Sequence, residues 1–212
     1  MTPTQKNYEN IAATVIKKMA VRQIEGYYCP DKAEALKKAL ELIPEGASVG
    51  WGGSVTVSEI GLIDAIKGGN YIAIDRADAK NPDEIRQKYL EMFGADWFLM
   101  SANAFTAEGE LVNIDGNANR VAALCYGPQN VLVVVGMNKL VTDAEGGFER
   151  ARLCAAPPNA VRLGKKTPCG TLGKCGECFT AGECMCSQIV YTRRSSIPWR
   201  IKVIIVGESL GF

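Results

Sequence analysis

The sequence predicts an α/β fold with a mostly parallel sheet, layered between helices in a Rossmann-like, three-layer arrangement. Two observations support this prediction. Segments with strand patterns alternate with segments of helical periodicity along nearly the whole chain, as expected when helices cover both faces of a parallel sheet. The run Val131–Val135 is apolar at every position, which is typical of a central strand buried on both faces.

The N-terminal part of the chain predicts two helices around a short strand. Apolar residues recur at helical spacing from about Thr4 to Arg22. The short apolar segment Gly26–Cys29 follows. A second helix is expected after Asp31, which is a suitable N-cap, with Glu34 placed as in a capping box.

The rest of the chain continues the alternation. The predicted strands are Ser48–Gly50, a buried Tyr71–Ile74, Trp97–Ser101, a hairpin of Ala104–Thr106 with Glu110–Ile114, the central Val131–Val135, and Ile201–Val206. The predicted helices are Thr56–Ile66, Asn81–Phe93, Asn119–Cys125, Ala144–Leu153 and Asn159–Leu163. With no repeat or low-complexity linker, we expect one domain over residues 1–212, with a cysteine-rich excursion at about 167–187.

Composition and charge exclude several classes of function. The 24 basic and 23 acidic side chains leave a net charge of +1, which gives no long-range attraction to nucleic acid or anionic membrane. No apolar run approaches the roughly 18 residues of a membrane span, and charged residues interrupt the first twenty positions, unlike a signal peptide. We therefore expect a cytoplasmic protein. The absence of histidine excludes Ser-His and Cys-His relays.

Five of the eight cysteines lie within 18 residues, separated by glycine-rich sequence: Cys169, Cys175, Cys178, Cys184 and Cys186. Because disulfides are rare in a reducing cytosol and histidine is absent, the pattern predicts a metal site of thiolates. A [4Fe-4S] iron–sulfur cluster on Cys169, Cys175, Cys178 and Cys184 is favoured, with Cys186 as an alternative ligand. Zinc held by two knuckles, or reduced cysteines in a loop, are the competing interpretations.

Three polar segments follow predicted strands and are candidates for binding a small anion. The candidate residues are Gly52, Gly53, Ser54 and Thr56, then Asn113, Asp115, Asn117 and Arg120, and finally Asn138 and Lys139. An ordinary N-cap at a tight turn is the competing interpretation of the first set. Glu59 and Glu208 are the nearby carboxylates, for which a surface salt bridge or a contact with a helix N-terminus is favoured over catalysis.

Several of these segments resemble the lactate-utilization domain (LUD, formerly DUF162) family. The resemblance rests on Gly52–Leu62, Asn113–Ala122, Val134–Lys139, Ala155–Ala160 and Val206–Phe212, in collinear order over nearly the whole chain. It implies a fold like that of the NagB/RpiA/CoA-transferase superfamily and a link to oxidation of L-lactate or related 2-hydroxy acids. A subgroup of the family carries a cysteine motif before the last strand, which Cys169, Cys175, Cys178 and Cys184 resemble.

Three functional hypotheses follow. The favoured one is an iron–sulfur redox component that binds a small anionic metabolite and works with redox partner subunits. The second is a non-redox enzyme of the isomerase or acyl-transferase type, with Lys139 or a carboxylate poised in the crevice and a structural zinc. The third is a ligand-binding regulatory module. The apolar stripe of the N-terminal helix is explained either by core packing or by self-association.

Overall fold

Ten strands and nine α-helices make up the protein, whose computed structural model describes all 212 residues. The strands are β1 (Glu25–Cys29), β2 (Ser48–Trp51), β3 (Ile72–Ile74), β4 (Trp97–Met100), β5 (Ala104–Thr106), β6 (Leu111–Asp115), β7 (Asn130–Gly136), β8 (Leu140–Val141), β9 (Gln188–Thr192) and β10 (Ile201–Val206). The helices are α1 (Pro3–Val21), α2 (Lys32–Leu42), α3 (Val55–Glu59), α4 (Leu62–Gly68), α5 (Pro82–Phe93), α6 (Asn119–Cys125), α7 (Ala144–Arg150), α8 (Ala156–Arg162) and α9 (Pro168–Leu172). None of the helices combines the length and apolarity needed to cross a membrane.

Six strands form the main sheet in the order β1-β10-β7-β4-β2-β3, and every neighbouring pair is parallel. This confirms the predicted mostly parallel sheet. The central position of β7 is also confirmed, since β10 and β4 flank it and Val131–Val135 are fully buried. A strand covered on both faces has no solvated side, so its sequence is apolar throughout.

Helices cover both faces of this sheet. Val131, Val133 and Val135 pack with residues of α1, α5 and α6 in one apolar cluster. Leu132 and Val134 point to the other face, where residues of α2, α3 and α4 form a second cluster. Alternate residues of one strand therefore feed two cores, as the two-residue repeat of a strand requires. The predicted three-layer architecture is confirmed.

A second, four-stranded sheet has the order β8-β5-β6-β9. The predicted hairpin is confirmed as the antiparallel pair β5 and β6, and it belongs to this sheet. Strand β9, which the sequence reading missed, pairs antiparallel with β6 directly after the cysteine-rich segment. This pairing ties the cysteine-rich segment to the end of β6.

Two predicted elements are wrong in detail. The expected helix Thr56–Ile66 is divided into α3 and α4, because Gly61 adopts a left-handed φ of 77° between them. The strand expected to be buried at Tyr71–Ile74 is the edge strand β3, where the Ile72 side chain is 62% exposed. A run of apolar residues does not reveal whether another strand will cover them.

The sequence predicts two separate helices at Ala144–Leu153 and Asn159–Leu163, but no non-helical segment separates them. One helical run continues from α7 to α8 through a π-helical turn at Ala151–Ala155, in which the Ala156 N–H bonds to the Ala151 carbonyl. Pro157 and Pro158 lack the N–H groups that an uninterrupted α-helix would use, and the wider turn accommodates that loss. The π turn lies at the edge of a cleft at the carboxyl ends of the main-sheet strands.

Candidate functional site

A cleft of about 810 Å³ opens at the carboxyl ends of the main-sheet strands. The segments that follow β2, β3, β4 and β7 form its floor and one side. The loop after β6, the run from the π turn into α8, and the cysteine-rich segment complete the wall. Ligand sites in open parallel sheets occur at this edge, because the strand ends leave a crevice there.

The cleft brings together seven of the ten residues predicted to bind an anion. These are Gly53, Ser54, Thr56, Asp115, Asn117, Arg120 and Lys139. These residues can share one cleft only if the loops after β2, β6 and β7 lie together. β2 and β7 run parallel with β4 between them, while β6 reaches the cleft from the second sheet.

The other three predicted residues lie behind the cleft wall. Gly52 is buried against Phe98 and the stem of Arg120. The Asn138 side chain clamps Leu210, accepting its backbone N–H at 3.1 Å and donating to its carbonyl at 3.4 Å. Asn113 is fully buried, and neither its amide nitrogen nor its amide oxygen has a hydrogen-bond partner.

Ser54 performs the N-cap role that was the competing interpretation of the glycine loop. Its hydroxyl accepts the Val57 N–H at 3.3 Å and so satisfies a free donor at the start of α3. The residue also borders the cleft. The capping and the ligand-binding interpretations therefore apply to the same side chain.

Arg120 is fixed in the cleft wall by four hydrogen bonds. Its Nε donates to Asp115 Oδ2 at 3.3 Å, and its Nη1 donates to the Ser101 carbonyl at 3.1 Å. Its Nη2 donates to Asn103 Oδ1 at 3.1 Å and to the Ile114 carbonyl at 2.8 Å. One Nη1 hydrogen is left without a protein partner, so Arg120 offers a ligand positive charge with little remaining freedom.

Lys139 is buried at the floor of the cleft, with only 3% of its surface exposed. Its Nζ donates to Thr56 Oγ1 at 2.8 Å and to Ser101 Oγ at 3.0 Å. Burial, together with the charges of Arg150 and Arg120, lowers the pKa of Lys139 from its ordinary value to about 7, while Glu59 acts in the opposite direction. A lysine amine in such surroundings is partly neutral near neutral pH.

The sequence reading missed several cleft residues, of which Arg76 and Tyr89 are the clearest. Arg76 Nη1 donates to Tyr89 Oη at 2.8 Å, and the guanidinium lies over the Tyr89 ring. A Cβ at Gly53 would lie 2.8 Å from Arg76 Nη2, so this loop and Arg76 meet closely. The lining includes five cationic side chains: Arg76, Arg120, Lys139, Arg162 and Lys165. Asp115 is the only carboxylate among the lining residues.

The two candidate carboxylates lie outside the cleft. Glu59 accepts the Gly211 N–H at 2.7 Å. Glu208 accepts the Lys32 N–H at 3.2 Å, at the first residue of α2. Glu208 thus makes the helix-end contact predicted for it, whereas Glu59 holds the C-terminal backbone instead of forming an ion pair or a helix-end contact, and neither residue lines the cleft.

The cysteine-rich segment forms part of the cleft wall through Cys184 and Cys186. Cys169 is buried, with its Sγ 3.1 Å from Thr167 Oγ1. Burial, together with nearby Cys184, Cys175, Cys169 and Cys178, raises the pKa of Cys186 to about 11. Burial and Cys184 also raise the pKa of Cys178. The other four thiols of the segment therefore lie near enough to Cys186 to act on its ionisation.

The donor set is sulfur throughout, which suits zinc or an iron–sulfur cluster by its chemistry. No three side chains of His, Cys, Asp or Glu stand close enough together to hold a single metal ion. The thiols are therefore not arranged as a closed single-ion site. Both the zinc and the iron–sulfur interpretations therefore remain predictions.

The fold and the basic cleft define an α/β protein with a ligand-sized crevice at the strand ends. The chain matches the family model described as LUD domain over residues 12–206, and it therefore belongs to the LUD domain family. No curated protein matches the chain.

Three solved structures are similar to this chain. The crystal structure of a DUF162 family protein from Deinococcus radiodurans is 15% identical, with a TM-score of 0.56 over 94% of this chain and 98% of that one. At this identity the similarity shows the fold. Ribose 5-phosphate isomerase A from Methanocaldococcus jannaschii is 19% identical, with a TM-score of 0.34 over 52% of this chain and 53% of that one. The delta subunit of eIF2B from Chaetomium thermophilum is 17% identical, with a TM-score of 0.33 over 66% of this chain and 54% of that one.

Proposed function

We propose that this LUD domain protein is a component of 2-hydroxy acid utilisation, of the L-lactate type. It binds a small carboxylate in the cleft, and an iron–sulfur cluster held by Cys169, Cys175, Cys178 and Cys184 carries electrons. One observation carries the proposal: Cys184 and Cys186 line the same cleft as the basic side chains. A ligand in the cleft therefore lies beside the thiols.

The charge of the cleft supports an anionic ligand. Four cationic side chains, the partly neutral Lys139 and one carboxylate side chain line it, although the whole chain has a net charge of only +1. Clefts lined by one sign of charge concentrate ligands of the opposite sign. Arg76 and Arg120 supply guanidinium groups on the two sides of the glycine loop, and guanidinium matches the geometry of a carboxylate.

The thiols support a redox role next to that ligand. An iron–sulfur cluster, when bound, supplies one-electron transfer. Removing two electrons from a 2-hydroxy acid thus requires a further acceptor, and redox partner subunits are the expected recipients. The residues of this chain bind and orient the carboxylate, and Lys139 in its neutral form is placed to accept the proton of the ligand's hydroxyl group.

The test is metal and acid-labile sulfide analysis of protein purified without oxygen, together with an absorption spectrum. We expect about four iron and four sulfide ions per chain and a broad band that dithionite bleaches. Cys184→Ser removes the band, while Cys154→Ser, an exposed cysteine outside the cysteine-rich segment, retains it. Cys186→Ser keeps the band if Cys184 is the fourth ligand.

A second experiment tests the substrate class. L-lactate added to the cluster-loaded protein, with an artificial electron acceptor present, should reduce the acceptor. Stoichiometric zinc and a colourless protein would contradict the redox role and make the cysteine-rich segment a structural element.

Lys139 is the observation that favours a second candidate function. A buried amine without a carboxylate partner is suited to a non-redox isomerase or acyl-transferase reaction, with zinc in a structural role. Turnover without iron would favour that candidate. Ligand binding without any turnover would favour a regulatory module.

A further inference from the structure

The Lys139 amine lies in the cleft with two hydroxyl groups as its hydrogen-bond partners. Thr56 Oγ1 and Ser101 Oγ are 2.8 Å and 3.0 Å from Nζ, and no carboxylate lies within ion-pair distance of it. A buried charged ammonium normally has an anionic partner, because its desolvation is otherwise uncompensated. The site is therefore built for an amine that need not be charged.

The direction of the hydrogen bonds agrees with a neutral amine. The Thr56 hydroxyl donates to the Leu210 carbonyl at 3.5 Å, and the Ser101 hydroxyl donates to the Ala102 carbonyl at 3.4 Å. Both hydroxyl oxygens are thus left to accept from Lys139. A neutral amine has two N–H bonds, which match these two acceptors, and a lone pair that remains unused.

The charges around Lys139 act in the same direction. Burial disfavours a charged amine most strongly, and Arg150, the last residue of α7, and Arg120 on α6 add to its effect. Glu59 on α3 opposes them, but it is exposed and bonded to the Gly211 N–H. Together they bring the pKa of Lys139 to about 7. Lysines activated in this way serve as nucleophiles toward carbonyl carbons.

We propose that Lys139 is a nucleophilic amine that forms an imine with a small 2-oxo acid held in the cleft. The nitrogen lone pair forms a bond to the carbonyl carbon, the carbon–oxygen bond breaks, and the oxygen leaves as water with the two amine hydrogens. No oxidant or reductant is consumed. Arg120 and Arg76 supply positive charge for the carboxylate of the same ligand.

This inference rests on the proposed function, because a 2-oxo acid is what the two-electron oxidation of a 2-hydroxy acid leaves. It also extends that function, since it gives the cleft a covalent mode of recognising a ketone. A ligand with a carboxylate but no adjacent carbonyl would bind only through charge. The site thereby distinguishes the oxidised from the reduced form of one carbon skeleton.

Trapping with a hydride reagent tests the imine directly. The purified protein is incubated with pyruvate and sodium cyanoborohydride at pH 7, and peptide mass mapping locates the reduced adduct. We expect one adduct on Lys139, formed at least about tenfold faster than on any other lysine, since ordinary lysines are almost fully protonated at this pH. L-lactate in place of pyruvate gives no adduct.

Controls separate this reaction from ordinary amine labelling. Lys139→Arg loses the fast adduct, whereas Lys37→Arg, an exposed residue of α2, retains it. Peptide mapping of the labelled protein without any substitution shows which lysine carries the adduct, so the test holds even if Lys139→Arg does not fold. Slow labelling spread over the exposed lysines, with none preferred at Lys139, would overturn the proposal.

The result is independent of the metal. An adduct on Lys139 in a protein without iron supports the imine and refutes the redox function. An iron–sulfur protein that forms no adduct keeps its redox function and overturns the imine, leaving Lys139 as a charged or proton-accepting ligand contact.

Discussion

Gly116 leaves just enough room for the backbone of Met185. A Cβ at Gly116 would lie 3.2 Å from the Met185 Cα atom, which is closer than an ordinary van der Waals contact. Next to this contact, the Ser187 N–H donates to the Asp115 carbonyl at 2.9 Å. The loop after β6 and the cysteine-rich segment are thus joined into one wall of the cleft.

Gly116→Val should weaken ligand binding by pushing this wall apart. Overpacking of a close contact costs about 1–3 kcal/mol, so we expect L-lactate to bind roughly tenfold more weakly. Isothermal titration calorimetry measures the change. Gly68→Val is the matched control, because a Cβ there meets nothing within 4 Å. Equal affinities of the two variants would show that the contact does not position the wall.

The parts of the fold that the sequence predicts are those in which neighbours along the chain decide the structure. Asp31 is the N-cap of α2 as expected, and Asn81 caps α5 at the predicted helix start; they accept the Glu34 and Glu84 N–H groups, because capping needs only residues three positions apart. The apolar run Val131–Val135 also sufficed to identify the central strand. The burial of Tyr71–Ile74 was not predictable in this way, since it depends on whether a further strand joins that edge.

The same distinction holds for the candidate site. Lys139 was predicted because it follows the central strand, and strand ends are where such clefts lie. Its burial and its two hydroxyl partners depend on Thr56 and Ser101, which are distant in the chain. Arg76 lies two residues after the predicted strand Tyr71–Ile74, and it donates a hydrogen bond to Tyr89 on α5. A search for polar residues at or just after the end of every predicted strand would have found both Arg76 and Ser101.

Arg76→Ala should weaken binding of a carboxylate. A hydrogen bond to a charged group contributes about 1.5–3 kcal/mol, and partial exposure of Arg76 reduces this to roughly a tenfold loss of affinity. Calorimetry at two salt concentrations measures this loss, and the ligand affinity of the variant should also depend less on salt. Arg86→Ala, an exposed arginine on α5, is the control. Unchanged affinity in Arg76→Ala would place the ligand elsewhere in the cleft.

Ser54 allows its capping and ligand-binding roles to be separated. Ser54→Asp retains an oxygen that can accept the Val57 N–H, so the free energy of unfolding should change by less than about 0.5 kcal/mol. The new negative charge at the cleft should nevertheless repel a carboxylate and lower its affinity severalfold. Ser54→Ala should show the reverse, with about 1 kcal/mol less stability and little change in affinity.

Denaturant unfolding of the two Ser54 variants, followed by calorimetry with L-lactate, checks both quantities. If Ser54→Asp binds L-lactate as well as the unmodified protein does, the residue only caps α3 and the ligand lies away from it.

Lys139→Met should change how the free energy of unfolding depends on pH. The pKa of Lys139 is about 7 in the folded protein, against an ordinary 10.5 in the unfolded chain. Between these values the unfolded chain binds a proton that the folded protein does not, so stability rises with pH. The cost of the buried charge is fully present below about pH 7 and is relieved as the pH rises toward 10.5.

Urea unfolding of both proteins at pH 7.5 and 9.5 therefore shows whether Lys139 loses its proton in the folded protein or keeps it. Relative to Lys139→Met, the unmodified protein should gain on the order of 2 kcal/mol over this interval, because one unbound proton contributes about 1.4 kcal/mol per pH unit. Comparing the two proteins cancels the titration of the cysteines and tyrosines that they share. Parallel pH profiles would mean that Lys139 keeps its proton in the cleft, and an amine that keeps its proton has no lone pair with which to attack a carbonyl carbon.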